Sequence, residues 1–290
     1  MLATPKRYSC LVVMLLLSAG VVTAQRQKPY GELGFSVGGM NYIGDLNGQS
    51  LFGTVRPAAN LFYRYNIDSR WAVTIAAAYG TLVGGNPDVQ PLRNLSFSSH
   101  LCEASLRAEF NFVSFGFGDV SYRTTPYLFC GIGIFHFNPQ ATYTDPSTGA
   151  SSTVDLQPLG TEGQHSDLYP DRYPYNLYNL CIPFGLGFKY RISKTVIFAF
   201  EYGFRKTWTD YIDDVSTLYV DPAIFADDEV ALRMADRAAE REGGSSHPEG
   251  AIRGDDSLDD WYAFFNASIT IDTDFLFGWM RPKRCYNDKK

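Results

Sequence analysis

The chain has 290 residues and a formal net charge of -6. That mildly acidic balance excludes the broad basic footprint of a general nucleic-acid binder. Aromatic residues make up 15%, with 19 Tyr and 21 Phe beside 26 Gly, which suits a β-protein with many turns and interfacial rings.

The first element is a targeting signal. Lys6 and Arg7 precede an apolar run from Leu11 into Val22, and Val22-Thr23-Ala24 places small residues at the −3 and −1 positions. The pattern predicts a signal peptide over residues 1–24, cut after Ala24 so that Gln25 starts the mature chain. An N-terminal anchor helix is the alternative, but the run is too short to span comfortably. Cys10 stands before the apolar run, the wrong place for lipoprotein cleavage. No later stretch approaches the roughly 20 apolar residues of a membrane helix, so any later membrane crossing would use strands.

Eight strands follow, each read from a period of two. The first covers 31–41, with Glu32, Gly34, Ser36 and Gly38 opposing Leu33, Phe35 and Val37. The second covers 57–66, with Asn60, Arg64 and Asn66 opposing Leu61, Tyr63 and Tyr65. The third, 71–82, sets Trp71, Val73, Ile75 and Tyr79 against small residues. The fourth, 97–112, sets Leu106, Phe110 and Phe112 against Glu103, Ser105, Arg107 and Glu109. The fifth, 126–138, is apolar on both parities, so its face assignment stays open. The sixth, 177–191, opposes Leu180, Phe184, Leu186 and Phe188 to Gly185, Gly187 and Lys189. The seventh, 196–208, carries Phe198, Phe200, Tyr202 and Phe204 on one face and Ala199, Glu201, Gly203 and Arg205 on the other. The eighth, 261–272, opposes Phe265 and Ile269 to Asn266, Ser268 and Thr270.

Connection lengths alternate. Long ones fall at 42–56, 83–96, 139–176 and 209–260, tight ones at 67–70 and 192–194, and an intermediate one at 114–125. Long loops on one rim and short turns on the other predict an all-β, eight-stranded antiparallel up-and-down transmembrane β-barrel over 25–272, with both termini on the periplasmic side of the outer membrane. A soluble secreted barrel or sandwich is the competing reading, with the aromatic face inside. The second face argues against it. It is small and polar, with Glu32, Arg64, Glu103, Arg107, Glu109, Lys189, Glu201 and Arg205 in balance, four acidic and four basic. These eight are expected to form a lumen charge network, because an isolated buried charge is costly. Eight strands leave room for side chains only, so no open pore is expected. Tyr65, Trp71, Tyr190, Trp208 and Trp261 lie near strand ends as girdle candidates.

The loops offer little chemistry. A short helix is expected within 223–241, ending at Gly243-Gly244. Ser98-Ser99-His100 is the best local pairing of nucleophile and base, yet adjacent strand residues point to opposite faces, so Ser99 and His100 do not meet, and the face that Ser98 shares with His100 is the one assigned to lipid. No catalytic residue, cofactor or metal is assigned. Asp210, Asp213, Asp214 and Asp221 lack a calcium-loop pattern, and solvation or pairing with Arg253 is the expected fate. Cys102, Cys130, Cys181 and Cys285 have no metal-ligand spacing, and the first three read as small buried residues.

Several blocks together resemble the PorG family: ELGFSVGGMNYIGDLN (32–47), PYLFCGIGIFHFNPQA (126–141), VDLQPLGTEGQ (154–164), IPFGLGFKYRI (182–192) and FEYGFRKTWTDYIDDVSTLYVDP (200–222). The resemblance spans most of the mature chain and keeps the blocks in order. It implies an outer-membrane barrel component of the type IX secretion system, which exports folded proteins and supports gliding in some bacteria. It also implies partnership with PorK-like and PorN-like periplasmic ring proteins. The chain departs from barrels that end on an aromatic residue. Residues 273–290 are expected to finish the last strand with Phe275, Phe277 and Trp279, then to run on as a basic tail. In that tail Arg281, Lys283, Arg284 and Cys285 are candidate partner contacts. Outer-membrane lipid is the other expected partner. An enzyme or adhesin working through the long loops is the alternative function.

Overall fold

The computed structural model describes residues 28–47, 53–85, 93–117, 122–225, 227–241 and 244–277. The expected signal peptide and the tail residues Arg281, Lys283, Arg284 and Cys285 lie outside the described residues. The strands are β1 (Tyr30–Ile43), β2 (Arg56–Asn66), β3 (Trp71–Gly84), β4 (Phe97–Asn111), β5 (Thr124–His136), β6 (Pro139–Thr144), β7 (Ser151–Asp155), β8 (Tyr178–Arg191), β9 (Val196–Thr207) and β10 (Trp261–Asp272). All pairings are antiparallel. The order β3-β2-β1-β10-β9-β8-β5-β4 closes through β3–β4 into a barrel of eight strands.

The two extra strands, β6 and β7, fall in the 139–176 connection that the sequence pattern leaves as loop. β5 leaves β4 after His136↔Cys102, and β6 rejoins the same strand at Ser98↔Gln140 and Ser99↔Pro139. The β6–β7 hairpin therefore continues the wall beyond the barrel rim. Its turn is held by Asp145, whose side chain accepts from the Ser147 amide at 2.8 Å and the Thr148 hydroxyl at 2.8 Å.

Side chains alternate across the wall as the period of two requires, and the distribution is inside out. Phe35 is 54% exposed, Ile75 60%, Ile132 68% and Phe200 58%, whereas Arg64, Arg107, Lys189 and Arg205 are at most 2% exposed. This is the chemistry of a barrel that shows its apolar face to lipid. No helix among the described residues is long and apolar enough to cross a membrane. In β5 the open choice of face resolves with Tyr127, Phe129 and Phe135 inside and Leu128, Ile132 and Ile134 outside. The inward rings cover cations: the Arg107 guanidinium lies 4.8 Å from the Phe129 ring and the Lys189 ammonium 4.3 Å from the Tyr127 ring. Two residues past Phe129, Gly131 has to be glycine, because a Cβ there would run into the Leu106 carbonyl of β4.

Tyr65, Trp71 and Tyr190 project from the short-turn rim, and Trp208 and Trp261 stand at the long-loop rim. The cysteine expectation is corrected for two residues. Cys181 is buried, but Cys102 and Cys130 are exposed on the outer face, where a small thiol is as compatible with lipid as a methyl.

The expected helix in 223–241 forms as three short turns: a 3₁₀ turn at Pro222–Phe225, α1 (Glu229–Ala235) and a second 3₁₀ turn at Ala238–Glu240. Asp228 caps α1 by accepting from the Ala231 amide at 2.9 Å. Asp236 ends it in an extended conformation, φ −143. At the other end of the chain, β10 stops at Asp272 and Thr273–Phe277 forms a helical turn, α2. Phe275 and Phe277 therefore do not prolong the last strand, and Trp279 lies outside the described residues.

Candidate functional site

The lumen is filled in layers from the short-turn rim outward. In the first, Arg64 Nη1 donates to Glu32 Oε2 at 2.7 Å, and Arg64 Nε lies 2.9 Å from Glu109 Oε2. Lys189 Nζ donates to the same Glu109 oxygen at 2.8 Å and to Asn111 Oδ1 at 3.1 Å. Thr74 and Asn66 supply further donors to Glu109 and Glu32. In the second, Glu201 accepts from Arg107 Nη1 at 2.6 Å and from the Tyr127 hydroxyl at 2.9 Å. In the third, Glu103 Oε2 accepts from Arg205 Nε and the Tyr262 hydroxyl, both at 2.9 Å.

All eight charged residues named from the sequence meet an opposite charge inside the barrel. Pairing is the condition for burial, since removing two ions from water costs several kcal/mol each and only close, hydrogen-bonded geometry offsets it. The carboxylates are thus engaged in structure, and none faces an open space as a free base.

Above the charges lies an apolar layer. Met40, Tyr42, Leu82, Leu101, Phe135, Phe137 and Phe264 from the wall pack with Ile212, Val215 and Met234 from the last long loop. That loop and the one before it then form an outer cap around Glu162. Its carboxylate accepts from the Ser216 amide at 2.9 Å, the Thr217 hydroxyl at 2.7 Å and Arg253 Nη1 at 2.8 Å. Arg253 also donates to the Asp214 backbone carbonyl at 2.5 Å, and the Asp214 carboxylate takes Thr161 at 2.5 Å and Tyr175 at 2.7 Å. Burial alone would lower the Arg253 pKa, but Glu162 and Asp214 outweigh it and hold the guanidinium above its ordinary value. Burial pushes Asp214 up to about 6 against the pull of Arg253.

The four loop aspartates separate by role. Asp214 joins Arg253, Asp213 accepts from Tyr42 at 2.6 Å, and Asp221 accepts from the Ala223 amide in a local turn. Asp210 is buried, 9% exposed. Among the described residues, no group of three or more His, Cys, Asp or Glu is placed to hold a metal ion. Ser99 points inward and accepts from the Asn138 amide at 2.9 Å, while His100 points outward, 3.1 Å from the Tyr79 hydroxyl. The two do not form a nucleophile–base pair.

Reading the sequence missed Glu162, Tyr42 and Asp260 as cap residues. Glu162 lies in VDLQPLGTEGQ, and its amide partners lie in TDYIDDVSTLYVDP. The two loop motifs are partners of each other, a relation that becomes visible only when the barrel brings their loops together.

A family model described as Domain of unknown function (DUF6089) matches residues 6–157. No curated protein sequence matches the chain. Among solved structures, the chain is similar to Neisserial surface protein A, with 8% identity over 84% of this chain and 99% of that one, TM-score 0.40. It is similar to the attachment invasion locus protein Ail of Yersinia pestis, with 9% identity over 85% and 99%, TM-score 0.38. It is also similar to the outer membrane protein OprG of Pseudomonas aeruginosa, with 10% identity over 86% and 98%, TM-score 0.37.

Proposed function

The chain belongs to the family described as Domain of unknown function (DUF6089), and from that premise we propose that it is a non-enzymatic outer-membrane barrel that anchors or assembles the type IX protein secretion machinery. One observation carries the reading: among the described residues the lumen is crossed by ion pairs and packed rings, which suits a barrel that holds a place in a membrane better than a diffusion pore. The apolar outer face supports a place in lipid. Glu32 pairs with Asp272, so the first and last strands leave the barrel at the short-turn rim. We assign that rim and both termini to the periplasm, where the resemblance to PorG puts PorK-like and PorN-like ring proteins. The tail residues Arg281, Lys283, Arg284 and Cys285 are the proposed contacts.

Affinity purification of the tagged chain from solubilised outer membranes tests this. Co-purification of PorK-like and PorN-like proteins, reduced by deletion of 282–290, supports the reading. Absence of both partners, with secretion unaffected by the deletion, overturns it. The second reading, an adhesin or enzyme acting through the long loops, is favoured by one observation: those loops fold into a cap with its own buried ion pairs. Loss of a surface activity on loop deletion, with secretion intact, would select it.

A further inference from the structure

Tyr42, at the outer end of β1, lies between two carboxylates. Its hydroxyl oxygen is 2.6 Å from Asp213 Oδ2 and 2.7 Å from Asp260 Oδ1. Tyr42 and Asp260 are 0% exposed and Asp213 is 1% exposed. The other carboxylate oxygens take backbone amides: Asp213 Oδ1 accepts from Val215 at 2.9 Å and Asp260 Oδ2 from Ile212 at 2.9 Å. A phenol carries one proton and can donate it to only one of the two acids. The second short contact therefore requires a proton from the other acid. Without it, two oxygen lone pairs would face each other in a buried site, which is strongly unfavourable.

We propose that this trio is a proton-operated latch: one proton shared by Asp213 and Asp260 across Tyr42 fastens the outer cap to the barrel rim, and its loss releases the cap. The inference stands apart from the anchoring role, since it needs only the barrel and its outer loops.

The trio joins separate parts of the fold. Tyr42 belongs to the wall, Asp260 immediately precedes β10, and Asp213 lies in the first part of the loop between β9 and β10. Asp213 also accepts from the Leu46 amide of the β1–β2 connection at 3.2 Å. The charged groups facing the trio are mostly acidic. Asp45 comes from the β1–β2 connection and Asp210 from the same loop as Asp213, and Glu162, from the loop after β7, faces Asp210. Asp210 is 9% exposed, with the Ser216 side chain beside its carboxylate. Arg253 is the cation that bears on Asp213, but Glu162 and Asp214 already engage it. Arg93 is turned to the backbone carbonyls of Asp45 and Arg253. Among the described residues, the cations nearest the trio are thus held by Glu162 and Asp214 or turned to backbone carbonyls.

The direction of the pH effect follows. Burial pushes Asp213 up to about 7 and Asp210 up to about 8, and burial followed by the Asp213 charge raises Asp260. A carboxyl whose folded pKa is raised binds its proton more tightly in the folded state. Its stabilisation is complete below the ordinary carboxylate range and disappears as pH rises through the folded value. The cap should therefore be closed in mild acid and loosen between neutral and mildly alkaline pH.

Hydrogen exchange of the full chain in lipid or detergent, corrected for intrinsic rates, reads this at about pH 5.5 and about pH 9. The expected result is at least roughly tenfold loss of protection for amides in 209–217 at the higher pH, with β3 and β4 unchanged. Asp213→Asn, which keeps an acceptor but cannot ionise, should abolish that loss. Asp260→Asn is the independent second variant. Equal protection at both pH values, or an unaltered loss in Asp213→Asn, overturns the proposal. Where neither variant folds, an infrared titration of Asp210→Asn decides: a protonated carboxyl band persisting near neutral pH once Asp210 cannot contribute supports the latch, and its absence overturns it.

Discussion

Glu162 Oε1 lies 2.8 Å from Arg253 Nη1, and the two side chains are 0% and 2% exposed. They come from different long loops, so the ion pair joins two segments that are also joined by hydrogen bonds from Thr161 and Tyr175 to Asp214 and from Ser216 and Thr217 to Glu162. Changing Glu162→Gln keeps the shape but leaves Arg253 with the Asp214 carboxylate, 3.5 Å away, as its remaining ion-pair partner beside the Asp214 and Ala235 carbonyls. Breaking one side of a buried pair costs about 3–5 kcal/mol. Limited proteolysis should then cut within 209–260 much faster than in the wild type, while the barrel keeps its folded-form migration on gels. Equal cleavage rates would show that the cap does not depend on this pair.

Glu109 serves two cations, Arg64 and Lys189. Arg64 retains Glu32 if Glu109 is removed, but Lys189 retains only the Asn111 oxygen and the Tyr127 ring. Glu109→Gln is expected to destabilise the barrel by about 3–5 kcal/mol. Adding Lys189→Met removes the stranded charge, so the double variant should be more stable than Glu109→Gln alone. Urea unfolding in lipid vesicles measures both, and strictly additive losses would show that the two side chains are not coupled.

The strands were the most legible part of the chain because each wall residue has one of only two directions, and chemistry marks which. Glu201 and Arg205 alternate with Phe200, Tyr202 and Phe204, so the lumen face could be named before any coordinates. β5 resisted because its lumen side is itself aromatic: Tyr127 and Phe129 pair with cations on neighbouring strands, a reason that lies outside the segment. The β6–β7 hairpin was legible in principle, since Asp145-Pro146-Ser147-Thr148-Gly149 is a turn signal between two short alternating runs. The cap was not. Glu162 looks like any loop glutamate until the barrel sets it beside Ser216, Thr217 and Arg253.

Ile132 separates a lipid-facing wall from a water-facing one. It lies in the middle of β5, points outward and is 68% exposed. Replacing an exposed isoleucine by arginine on a soluble barrel would change stability by about 0.5 kcal/mol or less. In a bilayer, arginine near the midplane costs roughly 2–4 kcal/mol. Ile132→Arg should therefore lower folding stability by that larger amount in vesicles, compared with a lumen-neutral control such as Ser268→Ala. A loss below about 0.5 kcal/mol would count against a transmembrane position for β5.

The closed lumen gives the last expectation, and it concerns which layer does the closing. The cap and the apolar layer cover the outer mouth, but the pairs Arg107–Glu201 and Arg205–Glu103 cross the barrel beneath them. Shortening the 209–260 loop should therefore leave a vesicle-reconstituted barrel non-conducting. The side chains of Arg107, Tyr127, Phe129 and Glu201 fill the same cross-section. Replacing Arg107 and Glu201 together by alanine removes a neutral pair and leaves no stranded charge of that pair, so the barrel can still fold around the space left behind. That double variant, in the loop-shortened chain, keeps the Arg205–Glu103 layer and the Arg64–Glu32–Glu109–Lys189 layer across the lumen, so it too is expected to stay non-conducting. Single-channel recording checks both chains. Conductance in the loop-shortened parent would mean that the cap, and not the charge layers, seals the barrel.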